Sequence, residues 1–352
     1  MGVSVVKPSP RVPYERRIVV RTRLLEILDG VEGRTVILLA PAGYGKTTLA
    51  RQWVERAGGA WVTLTAASGD IPVLARDLAA ALAQLGSFDT QRVEIALQAA
   101  RTPGDQASTV ARTILGQVSE PCGWVVLDDY QHVVGNPAAE ELIGRLERSG
   151  KLRFLVTSRE RPKWATSRRR VHLEILELGS SELALDEGEV AQLLPPDRRT
   201  AALRREARGW PAVIGLAAHA RLADVDLTVN SLSEQLYDYL AEELFECAGE
   251  DVRRWLATLA VLPPLKPVEL EAFLGSEGAA QQLVATGLAY EADGLIDVHP
   301  LAKDFLLAKL MERPEARDVS LRAFELALTK AGQADIVDIW RCAEHIPRMV
   351  WF

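Results

Sequence analysis

Thr35-Val-Ile-Leu-Leu39, running directly into Ala40-Pro-Ala-Gly43-Tyr44-Gly45-Lys46-Thr47-Thr48, is the stretch on which the fold turns. Four successive apolar residues after the β-branched Thr35, without polar alternation, suit a strand buried on both faces. Ala40 to Thr47 match G-x-x-x-x-G-K-[ST], except that Ala40 stands where the first glycine is expected. Leu49, Trp53 and Val54 then recur at helical spacing. Strand, glycine loop and amphipathic helix in that order form a nest for phosphate. Gly43 and Gly45 let backbone N–H groups turn inward, and the helix N-terminus adds partial positive charge. Lys46 is then expected to reach the β and γ phosphates, the Thr47 hydroxyl to ligate Mg²⁺, and Tyr44 and Thr48 to complete the loop. The expected ligands are ATP or ADP with Mg²⁺. The bland alternative, a chance glycine-rich turn, does not account for the strand before it and the helix after it.

Working outward, short apolar runs recur at Trp61-Val-Thr-Leu64, Trp124-Val-Val-Leu127, Phe154-Leu-Val156 and Val171-His-Leu-Glu-Ile175, separated by helical patterns. This alternation predicts an α/β domain, a P-loop NTPase parallel sheet with helices on both faces. Asp128 and Asp129 end the Trp124 run, where a side chain can meet Mg²⁺ on a neighbouring loop. Asp128 is expected to hold the metal, as its ligand or through water. Asp129 either polarises the attacking water or caps the next turn. Thr157-Ser-Arg159 ends a further strand, and Arg159 either senses the γ phosphate or pairs with Glu160 on the surface.

After about Ser180 the strand signals give way to helical patterns at Glu187 to Leu194, Leu203 to Arg208, Ala212 to Leu222 and Leu232 to Phe245. Within Gly287 to Val298, Asp293-Gly294 is a two-residue hairpin signal, so helices followed by a hairpin suggest a winged-helix-like unit. Pro314 is expected to end one helix, with another starting near Glu315. The resulting division is a P-loop nucleotide-binding domain over 1–180, a helical subdomain over 181–230, a winged-helix-like domain over 231–312 and the start of a helical arm over 313–352. The apolar terminus Met349-Val-Trp-Phe352 is expected to pack against something, as in a fragment of a longer protein.

Composition bounds the function. The chain has 352 residues, 48% of them hydrophobic and 25% charged, as a multi-domain globular protein requires. A formal charge of −7 lacks the basic surplus that binds phosphate backbones, so any DNA contact is expected from another segment or partner. The run Arg168-Arg169-Arg170 reads as a solvated loop before a strand rather than a phosphate patch. Cys122, Cys247 and Cys342 are far apart and lack metal spacing, which suits reduced thiols. With no signal-peptide core and no apolar run of about 18 residues, a cytoplasmic protein with no membrane contact is expected. Trp53, Trp61, Trp124 and Trp255 are expected in the core, and no structural metal is expected at His172 or His219.

These motifs resemble the nucleotide-binding module of STAND-class ATPases, specifically the MalT-like regulators with a LuxR-type or related output domain. The resemblance rests on Val19-Val-Arg21-Thr-Arg23-Leu24, the Ala40 to Thr48 loop, Leu127-Asp-Asp-Tyr130, Thr157-Ser-Arg159-Glu-Arg-Pro162, Gly209-Trp-Pro211 and His299-Pro-Leu301. It implies that Val20, Arg21 and Pro211 line the adenine, and that His299 contacts the β phosphate of ADP to lock a resting state. Read without the family, Gly209-Trp-Pro211 is a helix break followed by a helix start. Gln131 stands where the family usually has His, with His132 one place later, so the family histidine's role does not carry over directly. The resemblance also implies that inducer and DNA contacts lie in segments outside these 352 residues.

The expectation is an AAA+-like nucleotide switch serving transcription regulation. ADP closes it, ATP favours an open, self-associating state, and slow hydrolysis resets it. Two rivals stand beside it: a P-loop kinase or ATPase whose output is phosphoryl transfer or mechanical work, and an interaction module in which nucleotide is only structural.

Overall fold

The computed structural model describes residues 18–31, 35–118, 123–172, 174–196, 200–222, 244–246 and 248–330. The first part contains helix α1 (Thr22–Asp29), strand β1 (Thr35–Leu39), α2 (Lys46–Ala57), β2 (Gly59–Thr63), α3 (Ile71–Leu85), α4 (Thr90–Ala99) and α5 (Pro103–Gln117). It continues with β3 (Trp124–Asp128), α6 (Pro137–Arg148), β4 (Arg153–Ser158), α7 (Ser167–Val171), β5 (Ile175–Leu178) and α8 (Ser180–Leu183).

The five strands form one parallel sheet in the order β2-β3-β4-β1-β5. Because β1, β3 and β4 are buried on both faces, their near-continuous apolar sequences are what this position demands. One face carries the core of α3, α4, α5 and α6 around Phe154, Tyr130 and Leu74. Leu24, Leu28, Leu49 and Trp53 of α1 and α2 cover the other face, together with Leu183 of α8. The chain is therefore an α/β protein with helices on both faces of a parallel sheet. Local signals agree with it: Asn136 caps α6 by accepting from the Ala138 and Ala139 amides, and Pro137 occupies the first turn.

Three sequence expectations change here. The Val171–Ile175 strand is displaced: residues 167–171 are helical and β5 runs from Ile175 to Leu178. Charge pairing explains the shift. Arg169 bonds the buried Glu147 and also Glu174, while Arg170 reaches Glu177, and these bonds tie a helical turn to α6 and to β5. The basic run is therefore an ion-paired helix and not a solvated loop. Of the expected core tryptophans, Trp53, Trp124 and Trp255 are buried, whereas Trp61 on the edge strand is half-buried and donates to Thr63 Oγ1.

Beyond the sheet lie α9 (Glu187–Leu193), α10 (Ala201–Ala207), α11 (Pro211–Leu222), α12 (Glu250–Leu259), α13 (Pro267–Leu274) and α14 (Ala279–Thr286). A hairpin of β6 (Ala289–Ala292) and β7 (Leu295–Val298) follows, then α15 (Lys303–Met311) and α16 (Ala316–Lys330). The hairpin turns on Asp293 and Gly294, both at positive φ, which is why Asp-Gly marks it in the sequence. Leu265 bridges Ile296 of β7. These elements share one apolar core, running from Leu185 through Trp210, Trp255 and Leu283 to Ala323. The expected helix at 232–245 falls almost wholly outside the described residues, as do 331–352 and all three cysteines.

Candidate functional site

The loop after β1 closes on itself through Lys46. Its Nζ donates to the carbonyls of Ala40 and Pro41, both at 2.7 Å. Gly43 and Gly45 take φ of 78° and 75°, a region that disfavours side chains and lets successive amides face inward. Gly45 immediately precedes α2, and Leu49 N donates to its carbonyl, so the first helical turn is locked to the loop. Lys46 is only 8% exposed. Burial lowers its ammonium to about 8, with Arg159 adding to the effect and Asp129 and Asp128 opposing it. A cation in that condition gains most from an incoming anion.

Across the loop, Thr47 Oγ1 donates to Asp128 Oδ1 at 2.9 Å. Strand β3 is not the neighbour of β1, because β4 lies between them. The end of β4 makes the connection: Thr157 Oγ1 donates to the same Asp128 oxygen at 2.6 Å and accepts from the Asp129 amide at 3.0 Å. Burial raises the Asp128 carboxyl above the usual range, and the bonds from Thr157 and Thr47 draw it part of the way back. Sequence reading missed Thr157 as a site residue. Its only signal was a polar residue ending an apolar strand.

These residues fit a Mg·nucleotide. The space beside Gly45 is open, with no atom within 4 Å of where a Cβ would stand. The hydroxyl of Thr47 and the carboxylate of Asp128 are hard oxygen donors side by side. Among the described residues no cluster of three His, Cys, Asp or Glu side chains could hold a metal unaided. One or two protein oxygens suit Mg²⁺, which takes its remaining ligands from phosphate and water.

No protein-family model matches the chain. In sequence it is 28% identical over 265 residues to the HTH-type transcriptional regulator MalT of Vibrio parahaemolyticus serotype O3:K6, covering 69% of this chain and 29% of that protein. It is 28% identical over 284 residues to MalT of Cronobacter sakazakii, covering 75% of this chain and 31% of that one. The chain resembles MalT regulators in sequence. It spans under a third of their length. Likeness to solved structures is remote. A STAND protein with a tetratricopeptide repeat sensor from Pyrococcus horikoshii has a TM-score of 0.43 at 19% identity, over 96% of this chain and 49% of that chain. The RuvB branch migration motor of Thermotoga maritima has a TM-score of 0.39 at 16% identity, over 82% and 95%.

The residues that the MalT resemblance singles out fall in three places. Val20 is 58% exposed at the surface beside α1. Arg21 is buried. Its guanidinium bonds Glu189 and the Leu183 and Ala184 carbonyls, and its backbone amide donates to Gln52, so the residue as a whole is a strut between α2 and α9. Pro211 opens α11, and the next amide, Ala212 N, donates to Gly43 O of the loop. His299 is 4% exposed and lies edge-on to Trp210 at 4.8 Å. Trp210 in turn stacks on Tyr44 of the loop at 6.2 Å, and its buried indole N–H finds no acceptor among the described residues. Arg159 is half-buried within electrostatic reach of Lys46. Thr48 is half-buried in the first turn of α2, His132 is exposed, and His172 is exposed after α7.

Burial, helped by Arg208, holds the His299 imidazole at about 4, below its usual 6.5. The unfolded chain therefore binds a proton between those values that the folded one refuses. The associated stability, worth about 3 kcal/mol, is present above pH 6.5 and is lost as the pH falls toward 4. Urea unfolding of the unmodified protein and of His299→Gln at pH 7.5 and 4.5 checks this. The variant is expected to lose clearly less stability between the two.

Proposed function

We propose that this chain is the ATP/ADP-controlled switch of a MalT-like STAND regulator, in which Mg·ATP binding and slow hydrolysis set the contact between two cores. The observation that carries this reading is that the phosphate loop is itself a packing surface. Ala42 and Tyr44 pack into the core of the second part. Gly287, just before the hairpin, stands so close to Pro41 that an added Cβ would lie 2.7 Å from Pro41 Cβ. Any ligand that rearranges this loop must act on that contact. A ligand shifts such an equilibrium only through its different affinity for the two arrangements.

In this reading residues 1–180 are the nucleotide-binding domain, 181–230 a helical subdomain, 231–312 a winged-helix-like domain, and 313 onward a helical arm. Gly43, Tyr44, Gly45, Lys46 and Thr48 surround the phosphates, while Thr47 and Asp128 hold Mg²⁺. Asp129 orients the attacking water and Arg159 meets the γ phosphate. Val20 and Pro211 lie along the base, with Arg21 bracing that segment through Glu189 rather than touching the nucleotide. His299 favours ADP and the closed arrangement, and ATP frees surfaces through which copies associate. Mg²⁺ supplies charge neutralisation between the β and γ phosphates when bound.

Purified protein tests the switch against a working ATPase. The switch predicts co-purifying ADP and turnover far below about 1 per second, a rate ordinary for enzymes. An empty site with faster turnover overturns it.

A further inference from the structure

We infer that Gln131 is a positioning residue that sets Asp129 and Arg159 in register before nucleotide arrives; this rests on the nucleotide reading above. Asp129 adopts φ 60°, ψ 46°, the left-handed region, where a non-glycine residue persists only if its surroundings hold it. Two bonds do so. The Asp129 amide donates to Thr157, and its Oδ1 accepts from Gln131 Nε2 at 2.9 Å. The other end of the same amide group, Gln131 Oε1, accepts from the backbone N–H of Arg159 at 3.2 Å.

The orientation of the side chain follows from its partners. A carboxylate only accepts and a backbone N–H only donates, so the amide nitrogen must face Asp129 and the oxygen Arg159. A single neutral group thus spans the ends of β3 and β4 and joins the carboxylate to the turn that carries the cation. Its neutral amide offers both the donor and the acceptor that these two partners require. Glutamate would set a second carboxylate against Asp129, and methionine would keep the length and lose both bonds.

The step affected is hydrolysis. Water oxygen forms the new bond to the γ phosphorus, the bond to the β–γ bridging oxygen breaks with its electron pair leaving on ADP, and a water proton ends on the released phosphate. Outer groups that orient the groups at such a centre are worth about 10–100-fold in rate.

Single-turnover hydrolysis of Mg·ATP and the dissociation constants of ATP and ADP, measured on the whole chain, test the inference. Gln131→Met is expected to lower the rate about 10–100-fold while both dissociation constants stay within about threefold. Gln131→Glu is expected to be slow at pH 8 and to recover in part as the pH is lowered, because a protonated glutamic acid regains the donor that faces Asp129. The unmodified protein should show no such recovery. If Gln131→Met hydrolyses like the unmodified chain, or loses affinity in proportion to rate, or if Gln131→Glu shows no acid recovery, the positioning role is wrong while the nucleotide site stands. If the unmodified chain binds no Mg·ATP, the nucleotide reading itself fails, and this inference with it.

Discussion

Lys46→Ala is expected to weaken Mg·ATP binding by about 100-fold, which is about 3 kcal/mol, the scale of removing one partner of a buried charged pair. Fold stability should change far less, because the residue's bonds are to the Ala40 and Pro41 carbonyls within its own loop. A pH series strengthens the test. The free ammonium titrates at about 8. A bound polyphosphate stabilises the charged form and raises that value, so binding takes up a proton at alkaline pH. Affinity of the unmodified protein should be flat below pH 8 and fall above it, approaching about tenfold per unit. In Lys46→Ala the break at 8 should vanish. Calorimetric titration from pH 6.5 to 9.5 measures both effects. Equal affinities for the two proteins at pH 7 would remove the loop from phosphate binding altogether.

Gly209→Ala is expected to destabilise the second core by about 3–5 kcal/mol, at the upper end for single substitutions. Gly209 has φ 73°, and a Cβ there would lie 2.4 Å from Leu185 O and 3.1 Å from Leu185 N. The left-handed backbone alone costs about 1–2 kcal/mol for a residue with a side chain. The clash is with main chain, which cannot swing away without breaking the Leu185 N to Gly209 O bond of 2.8 Å. The displaced neighbour is Trp210, the ring that links Tyr44 of the phosphate loop to His299. The substitution should therefore also loosen the loop from the hairpin. Gly215→Ala is the control: it is helical and exposed, no atom lies within 4 Å of an added Cβ, and a gain of about 0.5–1 kcal/mol is expected. Thermal unfolding of the three proteins checks the order, and Gly209→Ala melting with the unmodified chain would sink the argument.

Most of the sheet was legible because its strands declare themselves locally. Val36 to Leu39 of β1 are all apolar, and Asp293-Gly294 permits the turn it makes. The segment at 171–175 misled because its order comes from ion pairs to Glu147 and Glu177, partners about 20 residues back and several ahead, which no local pattern records. Arg21 is the same case at longer range. Its motif is visible near the first helix, but its partner Glu189 is 168 residues away.

The sequence alone determined that a glycine loop ending in Lys46-Thr47 follows a buried strand and that Asp128 and Asp129 end another. Those facts depend on backbone conformation and hydrophobic run length, both local. Only the tertiary structure decided that β4 separates those two strands, so that Thr157 and Gln131 bridge the acids to their surroundings. It also decided that Tyr44 stacks on Trp210, which His299 meets edge-on. Strand order and ring contacts arise from how buried faces share a core, and chain distance does not encode them.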